Sequence, residues 1–113
     1  KSVGDVVTKA PATHTHGATA LTVQGGVNTY TVPGGSSATY AIATVSGITA
    51  SDKGRVITLE GTGTENAATI ADNTTFILED GATWTANTGS RISFRILDAT
   101  TLVEVQGTRV QTA

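Results

Sequence analysis

A chain of 113 residues is long enough for one domain with a modest core and too short for two. Its net charge of −2 is spread over single charges, which excludes the basic surface expected of a nucleic-acid-binding protein. The chain has no cysteine, and no apolar run approaches the roughly 18 residues of a membrane-spanning helix, so neither disulfides nor membrane insertion are predicted.

The first 26 residues show no sustained periodicity of apolar side chains. Three valines near the start are followed by small residues around Pro11 and Gly17. A terminal segment of this kind has too few apolar residues to fold alone. We therefore predict an extended N-terminal arm over residues 1–26, ordered by a neighbouring subunit, and a folded domain over residues 27–113.

From residue 27 onwards, short runs rich in Thr and Val alternate with clusters of Gly, Pro, Asn and Asp. Thr and Val favour strands, whereas Gly interrupts them, and no stretch keeps helical spacing for three turns. Short strands at intervals of about 8–12 residues are typical of sandwiches, jelly rolls and barrels. We predict an all-β, jelly-roll-like sandwich with strands at residues 27–32, 39–45, 55–60, 67–71, 74–78, 83–86, 91–97, 102–106 and 108–111.

Two of these predicted strands carry apolar residues on both faces. In residues 55–60 the larger pair, Ile57 and Leu59, is predicted to face the core in preference to the alternating set that contains Val56. In residues 74–78 three large apolar residues are consecutive. A strand that is apolar on both sides needs cover on both sides, so the outer face of the domain is predicted to meet another subunit.

The strictest alternation lies in residues 91–97, where Ile92, Phe94 and Ile96 share one face and arginines share the other. After four polar or small residues, a second alternating run at residues 102–106 completes an antiparallel hairpin with a four-residue turn. Phe94 is predicted to lie at the centre of the core.

The order of strands from Gly54 onwards resembles the knob modules of bacteriophage fibres and virion surface appendages. The residues that carry this likeness are Arg55-Val56-Ile57-Thr58-Leu59, Thr75-Phe76-Ile77-Leu78, the turn at Gly81 and the final two strands. The stretch Thr8-Lys9-Ala10-Pro11-Ala12-Thr13-His14-Thr15-His16 is similar to the K-A-P-x-x-H-T-H linkers of trimeric phage tail fibres. The resemblance implies a homotrimeric, non-enzymatic virion component, either a fibre tip that touches a host receptor or a decoration protein on the capsid.

The motif His14-Thr15-His16 is the one candidate metal site in the sequence. In an extended chain residues i and i+2 point the same way, so three chains around a threefold axis would present six imidazole nitrogens. Six nitrogens suit an octahedral transition-metal ion, and the resemblance implies such a use of H-x-H in phage fibres. The alternative is a solvated linker without metal, since the two ligands of one chain specify no site. No other cofactor is predicted.

No catalytic residues are predicted. Neither histidine lies in the strand-rich region, where a nucleophile and its base would have to meet. The adjacent acids Glu79 and Asp80 fit a solvated turn better than a glycosidase pair, because neighbours on a strand face opposite ways. We therefore predict that the chain is not an enzyme.

Trp84, Arg91 and Arg95 are the candidate contact residues for a receptor or a neighbouring subunit. Trp84 is either an exposed residue that stacks on a sugar or a buried anchor. Arg91 and Arg95, with Arg109, are predicted on the wet face of the last strands. The arginines are either solvated there or paired between chains with Glu60 or Glu104.

With the resemblance, these features predict a trimeric structural protein on the virion surface. Residues 1–26 would attach it to other virion proteins, and the domain would bind a glycan or protein of the host surface. Capsid decoration is the alternative placement. The second alternative is a carbohydrate-binding module of a secreted bacterial protein, which would use Trp84.

Overall fold

The structure, a computed structural model, describes residues 9–36 and 38–112. Within these residues the only helices are two short 3-10 helices, Ala50–Asp52 and Glu79–Gly81, and neither has the length of a membrane span. The predicted β-rich fold is confirmed. The strands are β1 (Ala12–Thr13), β2 (Ala20–Thr22), β3 (Thr29–Val32), β4 (Thr44–Ser46), β5 (Val56–Gly61), β6 (Thr69–Ile70), β7 (Phe76–Ile77), β8 (Trp84–Thr85), β9 (Arg91–Asp98) and β10 (Thr101–Glu104).

Six strands form one large sheet in the order β1-β3-β5-β9-β10-β7. Strands β1, β3 and β5 are parallel, β9 is antiparallel to both β5 and β10, and β7 is parallel to β10. Two small sheets consist of the parallel pair β2–β4 and the antiparallel pair β6–β8. From β1 to β5 the chain alternates between the large sheet, which contains β1, β3 and β5, and the small sheet of β2 and β4. It thus wraps around a single core.

The core lies on one face of the large sheet. Alternate side chains of its strands are buried there, as the period of two in a strand requires. Leu21, Ile70 and Trp84 from the small sheets belong to the same hydrophobic cluster and cover this face. The buried residues that the large sheet contributes are Tyr30, Val32, Ile57, Leu59, Phe76, Ile92, Phe94, Ile96 and Leu102. The predicted orientation of residues 55–60 and 91–97 is therefore confirmed.

The jelly-roll topology is not confirmed. A jelly roll is built from antiparallel strands, whereas four of the seven strand pairs in the described part of the chain are parallel. In the first half of the chain, each connection between neighbouring strands of the large sheet includes a strand of a small sheet. Such a crossover permits parallel pairing, which a tight hairpin does not. Alternating apolar residues indicate which face of a strand is buried, and they carry no information about the direction of its neighbour.

Residues 9–26 are part of the domain, which corrects the predicted arm over residues 1–26. Strand β1 pairs with β3, and Leu21 of β2 is only 1% exposed. Val23 is buried as well. Neighbouring strands of the same chain thus pair with this segment and cover it. Residues 1–8 of the predicted arm lie outside the described residues.

The hairpin of β9 and β10 is present, but its turn is shorter than predicted. Two residues, 99–100, connect the strands in place of the expected four. The pairing then shifts in register between Thr101 and Leu102. This shift is a β-bulge, and Leu97 has no partner on β10. Leu97, one position after the buried Ile96, faces away from the core and is 44% exposed. The last predicted strand, residues 108–111, forms only an isolated bridge to Arg91.

Candidate interaction surface

The face of the large sheet that is turned away from the core, here called the outer face, gathers the exposed apolar residues. Every large apolar side chain that is exposed in the described residues lies on it: Val56, Ile77, Leu97 and Val110, each 37–47% exposed. Val103 and Val105 are half-buried on the same face. Exposed apolar residues that collect on one face of a sheet are a feature of contact surfaces, so the outer face is the candidate functional site.

The strand register arranges these side chains in rows across the sheet. One row contains Thr31, Glu60, Arg91 and Val110, and another contains Val56, Arg95, Val103 and Ile77. Thr58 and Ser93 lie between these rows, with their hydroxyl oxygens 2.9 Å apart. The centre of the outer face is therefore occupied by small polar residues, and larger side chains surround it.

Arg91 and Arg95 are exposed on the outer face, where the sequence placed them. Both ion pairs found among the described residues lie elsewhere, so neither arginine has a carboxylate partner in that part of the chain. Glu60, beside Arg91 in the register, is likewise without an ion pair in the same residues. These three charges are available to a partner.

Arg109 does not join the other two arginines. Its Nη2 donates to Oε1 of Glu104 at 2.7 Å and its Nε donates to Oε2 at 3.0 Å. The guanidinium also donates to the backbone oxygen of Ala82. Gly107, with a φ of 81°, turns the chain back after β10 and so brings the two charges together. Arg109 therefore has its partner Glu104 within one chain, whereas the sequence offered a solvated position or a partner in another chain.

Trp84 is buried, which removes it as an exposed contact residue and agrees with the alternative of a buried anchor. Its exposure is 0%, and its Nε1 donates to the backbone oxygen of Val110 at 3.3 Å. The C-terminal segment is held beside it by Gln111, whose side-chain amide exchanges hydrogen bonds with the backbone of Thr85. The indole therefore belongs to the core, and a sugar cannot stack on it in this structure.

His14 and His16 lie inside the fold rather than in a solvated linker. His14 is 6% exposed, and its Nε2 donates to the backbone oxygen of Ala18 at 2.9 Å. The ring of Tyr40 stacks beside His14, with centroids 6.1 Å apart, and meets His16 edge to face at 4.8 Å. Sequence reasoning missed Tyr40, because no local pattern indicates which distant ring will meet these imidazoles.

His16 is packed too closely to bind a metal ion from its present position. A Cβ at Gly35 would lie 2.5 Å from Cδ2 of the imidazole, so only glycine fits there. Both ring nitrogens of His16 and the hydroxyl of Tyr40 are buried without a partner among the described residues. Those residues also contain no group of three or more metal-ligating side chains. A metal at a threefold axis would require His16 to turn outward, and it stays a prediction of the sequence motif alone.

The stability of the fold should depend on the protonation of His14. Burial lowers the pKa of His14, an effect that its hydrogen bond to Ala18 opposes and the charge of His16 reinforces. The folded chain therefore binds this proton less readily than the unfolded chain, whose histidine titrates near 6.5. It follows that the free energy of unfolding should decrease as the pH falls through about 6.5.

Urea unfolding at about pH 7.5, 6.5 and 5.5 measures this dependence. A His14→Gln variant carries no titratable group at this position and should lose most of the decrease. An unchanged decrease in the variant would show that His14 is not its source.

A cleft of about 280 Å³ lies beside His14. Its polar groups largely serve the fold, since the hydroxyl of Tyr30 donates to the backbone oxygen of Val27 and accepts from the backbone N–H of Gln24. The lining residues are Thr13, His14, Thr15, Ala18, Ala20, Leu21, Thr22, Gln24 and Tyr30. The cleft gathers no charged group that would fix a ligand.

Glu79 and Asp80 are exposed in the second 3-10 helix, at the turn that the sequence assigned to them. Asp80 has a φ of 57°, a backbone conformation found mostly at turns. This arrangement fits the solvated turn.

Comparisons with protein-family models, with curated proteins and with solved structures find no match for this chain.

Proposed function

We propose that this chain is a structural, non-enzymatic protein of a bacteriophage particle surface, and that it works as a homotrimer. In this proposal the domain is a fibre tip that contacts the host, and other virion proteins hold it on the particle. The resemblance of the strand order and of the segment around His14 and His16 supports the virion assignment.

The observation that carries the proposal is the collection of exposed apolar side chains on the outer face. Val56, Ile77 and Leu97 are each more than 40% exposed, although the same strands bury their other apolar residues almost completely. Burial of apolar surface stabilises an association by about 25 cal/mol per Å². In a self-associating protein, exposed apolar residues on one face would be buried between the copies and would stabilise the association.

Two alternatives differ in their support. A capsid decoration protein would use the same outer face and differs only in its position on the particle, which a cryo-EM map of the intact virion would give. A carbohydrate-binding module would need an exposed aromatic ring. All five aromatic residues are described, and four are buried while Tyr40 is half-buried, so that this module lacks its usual platform.

Sedimentation equilibrium tests the homotrimer. We expect a mass three times that of the 11.4 kDa chain at micromolar concentration. A Val56→Lys variant should shift the protein towards smaller species, because it places a charge in the apolar surface. Thr64→Lys, at an exposed position outside the sheet, is the matched control. A wild-type protein that stays monomeric would overturn the proposal.

A further inference from the structure

Charge is distributed unevenly across the outer face. Glu60 on β5 and Arg91 on β9 are register partners, and neither has an ion pair among the described residues. Arg95, the next charge along β9, has the apolar neighbours Val56 and Val103. The boundary between β5 and β9 therefore separates the outward-facing Glu60 from the outward-facing Arg91 and Arg95.

We propose that copies of this chain meet through the outer face, about a symmetry axis that runs parallel to the strands above the boundary between β5 and β9. Glu60 of one copy then faces Arg91 of the next. The inference rests on the self-assembly proposed above, and it specifies the surface and the orientation in which the copies meet.

An axis parallel to the strands keeps every residue at its own height along the sheet. It therefore brings β5 of one copy against β9 of the next with the rows matched. Glu60 meets Arg91, Thr58 meets Ser93, and Val56 meets the aliphatic stem of Arg95. The threonine and serine at the centre are small, so the sheets of neighbouring copies approach closely at the axis.

An axis that crosses the strands is less favourable. If such an axis ran along the row of Thr58 and Ser93, the row that contains Arg91 in one copy would lie opposite the row that contains Arg95 in the other. Arg91 of one copy would then face Arg95 of the other. Like charges that face each other across an interface oppose association and suppress that orientation. The charge pattern therefore favours the parallel axis.

The parallel axis also covers the remaining apolar residues. Ile77 and Val110 lie on the β10 side of the boundary. In the proposed arrangement that side of one copy is opposite the β3 side of the next. The exposed apolar residues on both sides of the boundary thus lose contact with water in a single arrangement.

Charge reversal tests the pairing. Glu60→Arg and Arg91→Glu should each weaken assembly by about tenfold or more, because each makes the facing charges alike. The double variant Glu60→Arg/Arg91→Glu exchanges the charges and should assemble nearly as tightly as the wild type. Glu65→Arg, an exposed position in the loop after β5, is the control and should leave the trimer intact.

Mixing the two single variants separates contacts between copies from the contact within a chain. Within each single variant, residues 60 and 91 of one chain carry the same charge, and mixing does not change that. Between a copy of one variant and a copy of the other, the facing residues 60 and 91 carry opposite charges. We expect the mixture to form mixed assemblies at concentrations at which neither variant assembles alone. A trimer that contains both variants has two copies of one of them, and the interface between those two copies keeps its like charges. Assembly of the mixture should therefore be weaker than that of the wild type.

Two results would overturn the inference. One is a trimeric wild type whose assembly neither reversal weakens, which would leave the trimer standing and remove this interface. The other is a double variant and a mixture that both stay as dissociated as the single variants. A monomeric wild type would instead remove the self-assembly on which the inference rests.

Discussion

Phe94→Ala is expected to lower the free energy of unfolding by about 3–5 kcal/mol. Phe94 is 0% exposed in the middle of β9, and its ring meets that of Phe76 at an angle of 65°, with centroids 5.4 Å apart. Removing the ring costs its transfer free energy and also leaves a cavity, because the strands on both sides hold the backbone in place. The edge-to-face contact with Phe76 is lost as well.

Ser93→Ala is the matched control, one residue away on the opposite face. It removes one hydroxyl, which lies 2.9 Å from that of Thr58, and should cost no more than about 1 kcal/mol. Denaturant unfolding of both variants at the same protein concentration gives the comparison. If Phe94→Ala cost less than Ser93→Ala, the orientation of β9 would be wrong.

The direction in which each side chain of β9 points was predictable from sequence. The strict alternation of Ile92, Phe94 and Ile96 with polar residues allows only one face to be buried. The choice of Ile57 and Leu59 over Val56 as core residues rested on side-chain size. It was right, because the larger pair is fully buried and Val56 is exposed. These features depend only on neighbours along the chain.

Features that depend on residues far apart in the chain were missed. Strand β2 is short, and its parallel partner β4 lies 24 residues further on, so nothing local shows that Leu21 is core. The burial of Trp84 was one of two alternatives in the sequence, and the C-terminal segment, whose Val110 accepts the hydrogen bond of the indole, decides between them. Exposed apolar residues at outward positions of the strands were the one sequence signal for the outer face.

The second large effect is expected at Glu104, whose side chain is 1% exposed. Its carboxylate accepts two hydrogen bonds from Arg109 and one from the backbone N–H of Glu79, at 2.8 Å. Glu104→Ala would leave the guanidinium and this N–H without their acceptor. Breaking a buried ion pair from one side costs about 3–5 kcal/mol, and we expect a loss of that size.

A double-mutant cycle distinguishes this mechanism from a general loss of packing. Arg109→Ala alone should also be strongly destabilising, because it leaves the carboxylate of Glu104 buried without its cation. The variant with both substitutions contains no unpaired charge, so its loss should be smaller than the sum of the two single losses by about 1–3 kcal/mol. Additive losses would mean that the two residues stabilise the fold independently.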